Sequence, residues 1–150
     1  MTSVSHTFHR PIDEVFAALA DPRTYPGWLV GAKEMRSIDP TWPTPGSKFH
    51  HRVGLVGPIT IADNSTSCEV HAPSLLVLEV RARPVGRARV SFRLHEPTPA
   101  TTEVEFSEVP IGAARLLAPV VAPLTAARNA RSLDHLERFL EGTGTLSGPG

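Results

Sequence analysis

Residues 4–28 read VSHTFHRPIDEVFAALADPRTYPGW, and two changes of period inside this stretch decide the architecture. Val4, His6 and Phe8 alternate with Ser5, Thr7 and His9, the period-two pattern of a short strand. Pro11 followed by Asp13 and Glu14 then signals a helix start. Proline loses no needed donor in a first turn, and carboxylates suit the positive end of the helix dipole. Ile12, Val15, Phe16 and Leu19 fall on one face of that helix. Asp21 before Pro22 caps a second short helix that must end near Gly27. One strand followed directly by two small helices is therefore expected.

Downstream, the stretch from Lys33 to Val109 reads as six strands. Turn signals separate them at Pro40 to Gly46, Gly57-Pro58, Ala72-Pro73, Pro84 to Gly86 and Pro97 to Pro99. Leu76, Leu78 and Val80 alternate with Val77, Glu79 and Arg81, and Val90, Phe92 and Leu94 alternate with Arg89, Ser91 and Arg93. One apolar face and one charged face describe an antiparallel sheet with one solvated side. After Gly112 the period becomes helical, with Val120, Leu124, Ala127, Ala130, Leu133, Leu136 and Leu140 stepping by three or four. Pro123 predicts a short helix to Ala118, a kink, and a main helix from about Pro123 to Glu141. Residues 1–141 then make a single domain, and 142–150, rich in Gly, Thr and Ser, a flexible tail.

Composition narrows the function classes. The 150 residues are 41% hydrophobic and 20% charged, in the globular range and suited to one core. Lys plus Arg and Asp plus Glu are 15 each, so no bulk charge favours a nucleic acid or an anionic surface. The single cysteine and the absence of a secretory signal pattern predict a reduced, cytoplasmic setting. No apolar run approaches the roughly 20 residues that span a bilayer, so membrane insertion is not expected. The proline and arginine usage suits a GC-rich, bacterial genome.

The sheet's apolar face and the helix stripe must cover each other. A two-residue turn at Gly57-Pro58 pairs Val53 with Ala62, His51 with Asn64 and Phe49 with Thr66, and turns Cys68 inward. The fourth strand then presents small and partly polar residues, and the helix offers Ala126, Ala127 and Ala130. Small side chains on both sides predict a pocket for a small molecule. The alternative is that the alanines let helix and sheet approach closely, with Trp28, Trp42 and Phe49 filling the remainder.

The segments FHRPIDEVF (8–16) and LADPRTYPGW (19–28) resemble the opening of the SRPBCC, or START-like and Bet v 1-like, superfamily in its polyketide cyclase/dehydrase branch. CEVHAPSLL (68–76) and AARN (126–129), with Leu133 and Leu136, resemble that branch's later strands and last helix, with Ser74 where a second proline is common. The resemblance implies an α+β helix-grip fold: a seven-stranded antiparallel sheet wrapped around a long C-terminal helix, with two short helices after strand 1. It also implies a cavity for a hydrophobic ligand. Members include carriers and cyclases, so function must be argued from the site.

The expected occupant is a lipid- or polyketide-like molecule. Its expected contacts are Trp28, Phe49, His51, Val53 and Ala62, with Asn64, Thr66 and Cys68 from the fourth strand. Leu78, Val80, Val90 and Phe92 from the sheet and Leu124 and Ala127 from the helix complete the lining. His51 is the candidate proton carrier should the cavity catalyse a cyclisation or dehydration, although no oriented carboxylate partner is evident for it. A protein-interaction module is a further alternative. Adjacent His50 and His51 point to opposite faces of a strand, and no CxxC or HExxH accompanies them, so neither a metal nor a cofactor is expected. Arg81, Arg83, Arg87, Arg89 and Arg93 form a basic hairpin face. Glu103 and Glu105 fall on that same face without interleaved aromatics, which predicts solvated surface and no nucleic-acid partner. Tyr25, Trp28 and Trp42 are candidates to gate the cavity mouth or to staple the loops to the core.

Overall fold

A computed structural model describes residues 2–30, 32–56, 59–82, 86–112, 116 and 118–146, excepting the side chains of 33, 34, 36, 51–56, 59–63, 82, 118, 120, 121 and 143–146. Strand β1 (Thr2–Phe8) is followed by helix α1 (Ile12–Ala20), a 3-10 turn (Pro22–Thr24) and the short α2 (Tyr25–Trp28). Six strands follow: β2 (Ala32–Ile38), β3 (Lys48–Val56), β4 (Ile59–His71), β5 (Leu75–Ala82), β6 (Gly86–Thr98) and β7 (Thr101–Ile111). The chain ends in α3 (Ala118–Leu146). The order β1-β7-β6-β5-β4-β3-β2 makes one seven-stranded antiparallel sheet in which consecutive strands from β2 to β7 are neighbours, and β1 closes the far edge on β7. This is the helix-grip arrangement that the sequence implied.

The core occupies one end of the fold. Phe8, Leu76, Phe92, Leu94 and Val104 from the sheet meet Val15 and Leu19 of α1, Trp28 of α2 and Leu133, Leu136 and Leu140 of α3. Tyr25, Trp28 and Phe49 form edge-to-face ring pairs at 5.3 and 5.6 Å, and Trp42 adds a third to Phe49 at 4.8 Å. Tyr25 and Trp28 are buried in the core, and Trp42 packs against it. Trp42 Nε1 donates to the Ala20 carbonyl at 2.7 Å, Trp28 Nε1 to Thr24 Oγ1 at 3.0 Å, and the Tyr25 hydroxyl to the Leu19 carbonyl. Burial, with the charge of Asp21 second, pushes the Tyr25 hydroxyl pKa well above the usual tyrosine range.

Two expectations about α3 are corrected. The helix is continuous through Pro123, with no second helix beginning there. The bond that Pro123 cannot make belongs to the carbonyl of Pro119, in the exposed first turns, where water can replace the missing donor. Nor does the helix stop at Glu141. Gly142 weakens a helix by about 1 kcal/mol relative to alanine but does not break it, and α3 runs on to Leu146.

The register of β3 against β4 is also corrected. Val56 pairs with Ile59, as a two-residue turn requires, but a bulge between Gly54 and Val56 shifts every later pair by one. His51 therefore opposes Asp63, Val53 opposes Ile61, Ala62 opposes Arg52, and Phe49 opposes Ser65. A one-residue slip exchanges the two faces of a strand. Ser65 and Ser67 accordingly take the buried positions, whereas Thr66 sits opposite Glu79 on the outer face and Cys68 is exposed.

Candidate functional site

Along each central strand the inner face opens progressively. On β6, Leu94, Phe92 and Val90 are buried and Ala88 is half-buried. On β5, Leu76 and Leu78 are buried and Val80 is half-buried. On β7, Val104 and Phe106 are buried, while Glu108 and Pro110 are half-buried. Because Ala88 pairs with both Val80 and Pro110, and Val90 with Glu108, the less buried residues lie side by side at one end of the sheet. We call this end the rim and the aromatic end the base.

The last helix changes character at the same level. Toward the base it buries Leu133, Leu136 and Leu140. Toward the rim its covered side chains among the described residues are Asn129, Ala126, Thr125 and Ala122, with Asn129 fully buried and the other three half-buried. The expected stripe is thus correct in its second half and rotated in its first, where Leu124, Ala127 and Ala130 are exposed. Asn129 and Ser132 occupy the buried positions instead because each has a polar partner. Ser132 Oγ accepts from the Val30 amide at 3.0 Å, fastening α3 to the end of α2.

The sequence reading missed the main polar group at the rim. Glu108 stands on the apolar inner face of β7 with its side chain 15% exposed. Arg128 Nη2 donates to both of its carboxylate oxygens, at 2.8 and 2.9 Å, and Asn129 Nδ2 donates to Oε1 at 3.3 Å. Arg128 Nε in turn reaches Asn129 Oδ1 at 3.4 Å. The signal was present in the alternation: Val104 and Phe106 point inward, so Glu108 continues the same face. This network ties α3 to β7 and leaves a paired charge at the edge of an apolar interior.

The expected contacts divide into groups. Trp28, Phe49, Leu78, Val90 and Phe92 are brought together in the buried core, with Val80 above them toward the rim. Thr66 and Cys68, and Asn64 by the same alternation, belong to the outer side of β4, while Leu124 and Ala127 point to solvent. The side chains of His51, Val53 and Ala62 lie outside the described residues. Of the basic hairpin, Arg83 also lies outside them, and Arg87 Nη1 donates to Glu79 at 2.7 Å.

A concavity lies between α1 and the β2 edge, lined by Ala20, Pro22, Met35, Ile38 and Trp42. Its carboxylates are engaged in structure. Asp21 accepts from the amide and guanidinium of Arg23, which holds its carboxyl below the usual range, and Asp39 accepts from the Lys48 amide at 2.9 Å. Among the described residues, no three His, Cys, Asp or Glu side chains converge as metal ligands, and no described helix is long and apolar enough to cross a membrane.

Residues 1–141 match the model of the family described as polyketide cyclase / dehydrase and lipid transport. The chain belongs to this family. Solved structures similar to this member include a Nitrosomonas europaea protein, 14% identical, with 94% of each chain covered and a TM-score of 0.73. CalU16 from Micromonospora echinospora is 20% identical, covering 92% of this chain and 74% of its own, at a TM-score of 0.61. DynU16, a protein of the dynemicin biosynthetic locus, is 18% identical, covering 93% of this chain and 46% of its own, at 0.66. Likeness at these identities establishes the fold of the family member. No curated protein matches it.

Proposed function

We propose that this family member binds a hydrophobic or aromatic small molecule, lipid- or polyketide-like, between the rim half of α3 and the sheet. The observation that carries this reading is the paired loss of bulk. Where the inner face reaches half-buried Val80 and Ala88, the helix offers half-buried Ala122, Thr125 and Ala126. Small side chains facing each other cannot fill a helix-to-sheet gap, and an apolar space with a few polar groups is the usual constitution of a ligand site. Val90, Leu78 and Phe92 would form its floor. Glu108, held by Arg128 and Asn129, would accept a hydrogen bond from a ligand hydroxyl at its edge.

Native mass spectrometry of gently purified protein tests the reading. A retained small molecule is expected in the wild type and should be lost in Ala126→Phe, which fills the gap from the helix side. Equal retention in both would place the ligand elsewhere. An empty wild type that also binds no apolar compound from a panel would overturn the proposal.

One observation favours a catalytic use of the same space. The register sets Asp63 opposite His51, two pairs along the ladder from Phe49–Ser65. A carboxylate at the paired position would serve to orient a histidine base. With a confirmed polyketide-like substrate, His51→Gln should reduce cyclisation or dehydration about 100-fold or more, the usual share of a general base. Unchanged turnover would remove His51 from the chemistry.

A further inference from the structure

Zero net charge conceals a separation of charge along the sheet. On the outer face at the rim, Arg87 of β6 lies directly opposite Arg81 of β5, and Arg89 follows beside Glu79. At the base of the same face the neighbours are Glu103 and Glu105, which oppose His95 and Arg93. The acids that the sequence placed among the arginines are therefore at the other end. Among the described residues the charged groups of β5, β6 and β7 near the rim are Arg81, Arg87 and Arg89 against Glu79 and Glu108, and Glu108 is occupied by Arg128. Like charges directly opposite on neighbouring strands are unfavourable without a counter-charge. Arg87 takes Glu79, and no described carboxylate pairs with Arg81.

The same end carries exposed apolar bulk. Ile111 pairs with Arg87, and a Cβ at Gly112 would stand 3.2 Å from the Arg87 guanidinium, so the chain leaves β7 beside this arginine. Leu116 follows a few residues later with 80% exposure, and Leu124, in the second turn of α3, is 73% exposed. They are the large hydrophobic side chains left in water among the described residues. Cationic side chains on the outer sheet face and protruding apolar ones before and on α3, at the same end of the fold, suit an end-on contact with an anionic bilayer, where arginines meet headgroup phosphates and leucines enter the acyl region.

We propose that the rim docks peripherally on an anionic lipid surface through Leu116, Leu124, Arg81 and Arg87. Single-stranded nucleic acid is the less favoured occupant of the same charge, because base stacking needs aromatic rings and Tyr25, Trp28 and Trp42 are committed to the base. Docked in this way, the rim end of the proposed ligand site would face the lipid, although docking itself does not require that site.

Vesicle flotation of the full chain tests the proposal, using phosphatidylcholine vesicles with and without phosphatidylglycerol. Binding is expected to the anionic vesicles, weakening as salt is raised. Leu116→Ser and Leu124→Ser should each reduce it about tenfold. Arg81→Gln and Arg87→Gln should each reduce it about fivefold. Near-ultraviolet circular dichroism of each variant verifies that the fold is kept. Absence of flotation with anionic vesicles at low salt would overturn the proposal. Flotation untouched by the two serine substitutions would do the same, as would an RNA oligomer that binds as tightly as the vesicles and ignores those substitutions.

Discussion

A Cβ built on Gly27 would stand 2.9 Å from Cε2 and 3.0 Å from Cδ2 of Phe139, so the glycine sets how closely α2 approaches α3. Gly27→Ala must displace that ring, and overpacking of this kind costs about 1–2 kcal/mol. Chemical denaturation should show the loss, and a Phe139→Leu background should recover most of it. A full loss in that background would mean that the glycine serves another purpose. Asp21 acts locally too, capping the 3-10 turn through the Arg23 amide and gripping the Arg23 guanidinium at 2.9 and 3.1 Å. Hydrogen bonding to Arg23 lowers its pKa from the ordinary 3.8. A carboxyl with a depressed folded pKa contributes stability that is complete above its unfolded pKa and is lost as pH falls through the folded one. Asp21→Asn can still cap but cannot titrate. Its stability should therefore decline less steeply than the wild type's below about pH 4, whereas parallel acid limbs would show that the carboxylate contributes nothing.

The helix α3 shows how far an element can be read from its spacing. Leu136 is fully buried, and Leu136→Ala should cost about 2–5 kcal/mol. Leu124, on the stripe that the periodicity drew, is exposed, so Leu124→Ala should change stability by about 0.5 kcal/mol or less. Urea midpoints of the two variants decide between the faces, and similar losses would restore the drawn stripe. The periodicity failed at Leu124, Ala127 and Ala130 because hydrophobicity alone cannot recognise Asn129 and Ser132 as buried: their partners, Glu108 and the Val30 amide, are remote in the chain. The β3–β4 hairpin failed for a comparable reason. Its turn was legible in Gly57-Pro58, but the bulge after Gly54 left no mark in the residue alternation, and one extra residue exchanged Asn64, Thr66 and Cys68 for Ser65 and Ser67. The seven strands and two short helices were legible because proline, glycine and period-two runs act locally, within the residues that carry them. Hydroxyls remain on the described part of the fourth strand's inner face, but at Ser65 and Ser67.

Across the whole molecule the fold is asymmetric along the strands, with aromatic packing at the base and small, partly open side chains at the rim. That asymmetry makes a quantitative statement about the proposed ligand possible. A molecule held only by the native state adds about 2.7 kcal/mol of stability at a hundred times its Kd. In a domain of this size 1 kcal/mol raises Tm by about 2–4 °C, so saturation should raise it by about 5–11 °C. The rim half should respond to filling without harming the base, because Ala126 is only half-buried while Leu133 and Leu136 supply the packing of α3. Ala126→Phe should thus keep a Tm within a few degrees of the wild type's while losing the ligand-induced shift. If instead the substitution unfolds the protein, the rim is already packed as tightly as the base, and the helix and sheet there touch rather than enclose a space. That outcome would favour the close-approach reading of the alanines over the pocket, and Ala88→Phe on the opposite wall should then unfold it as well.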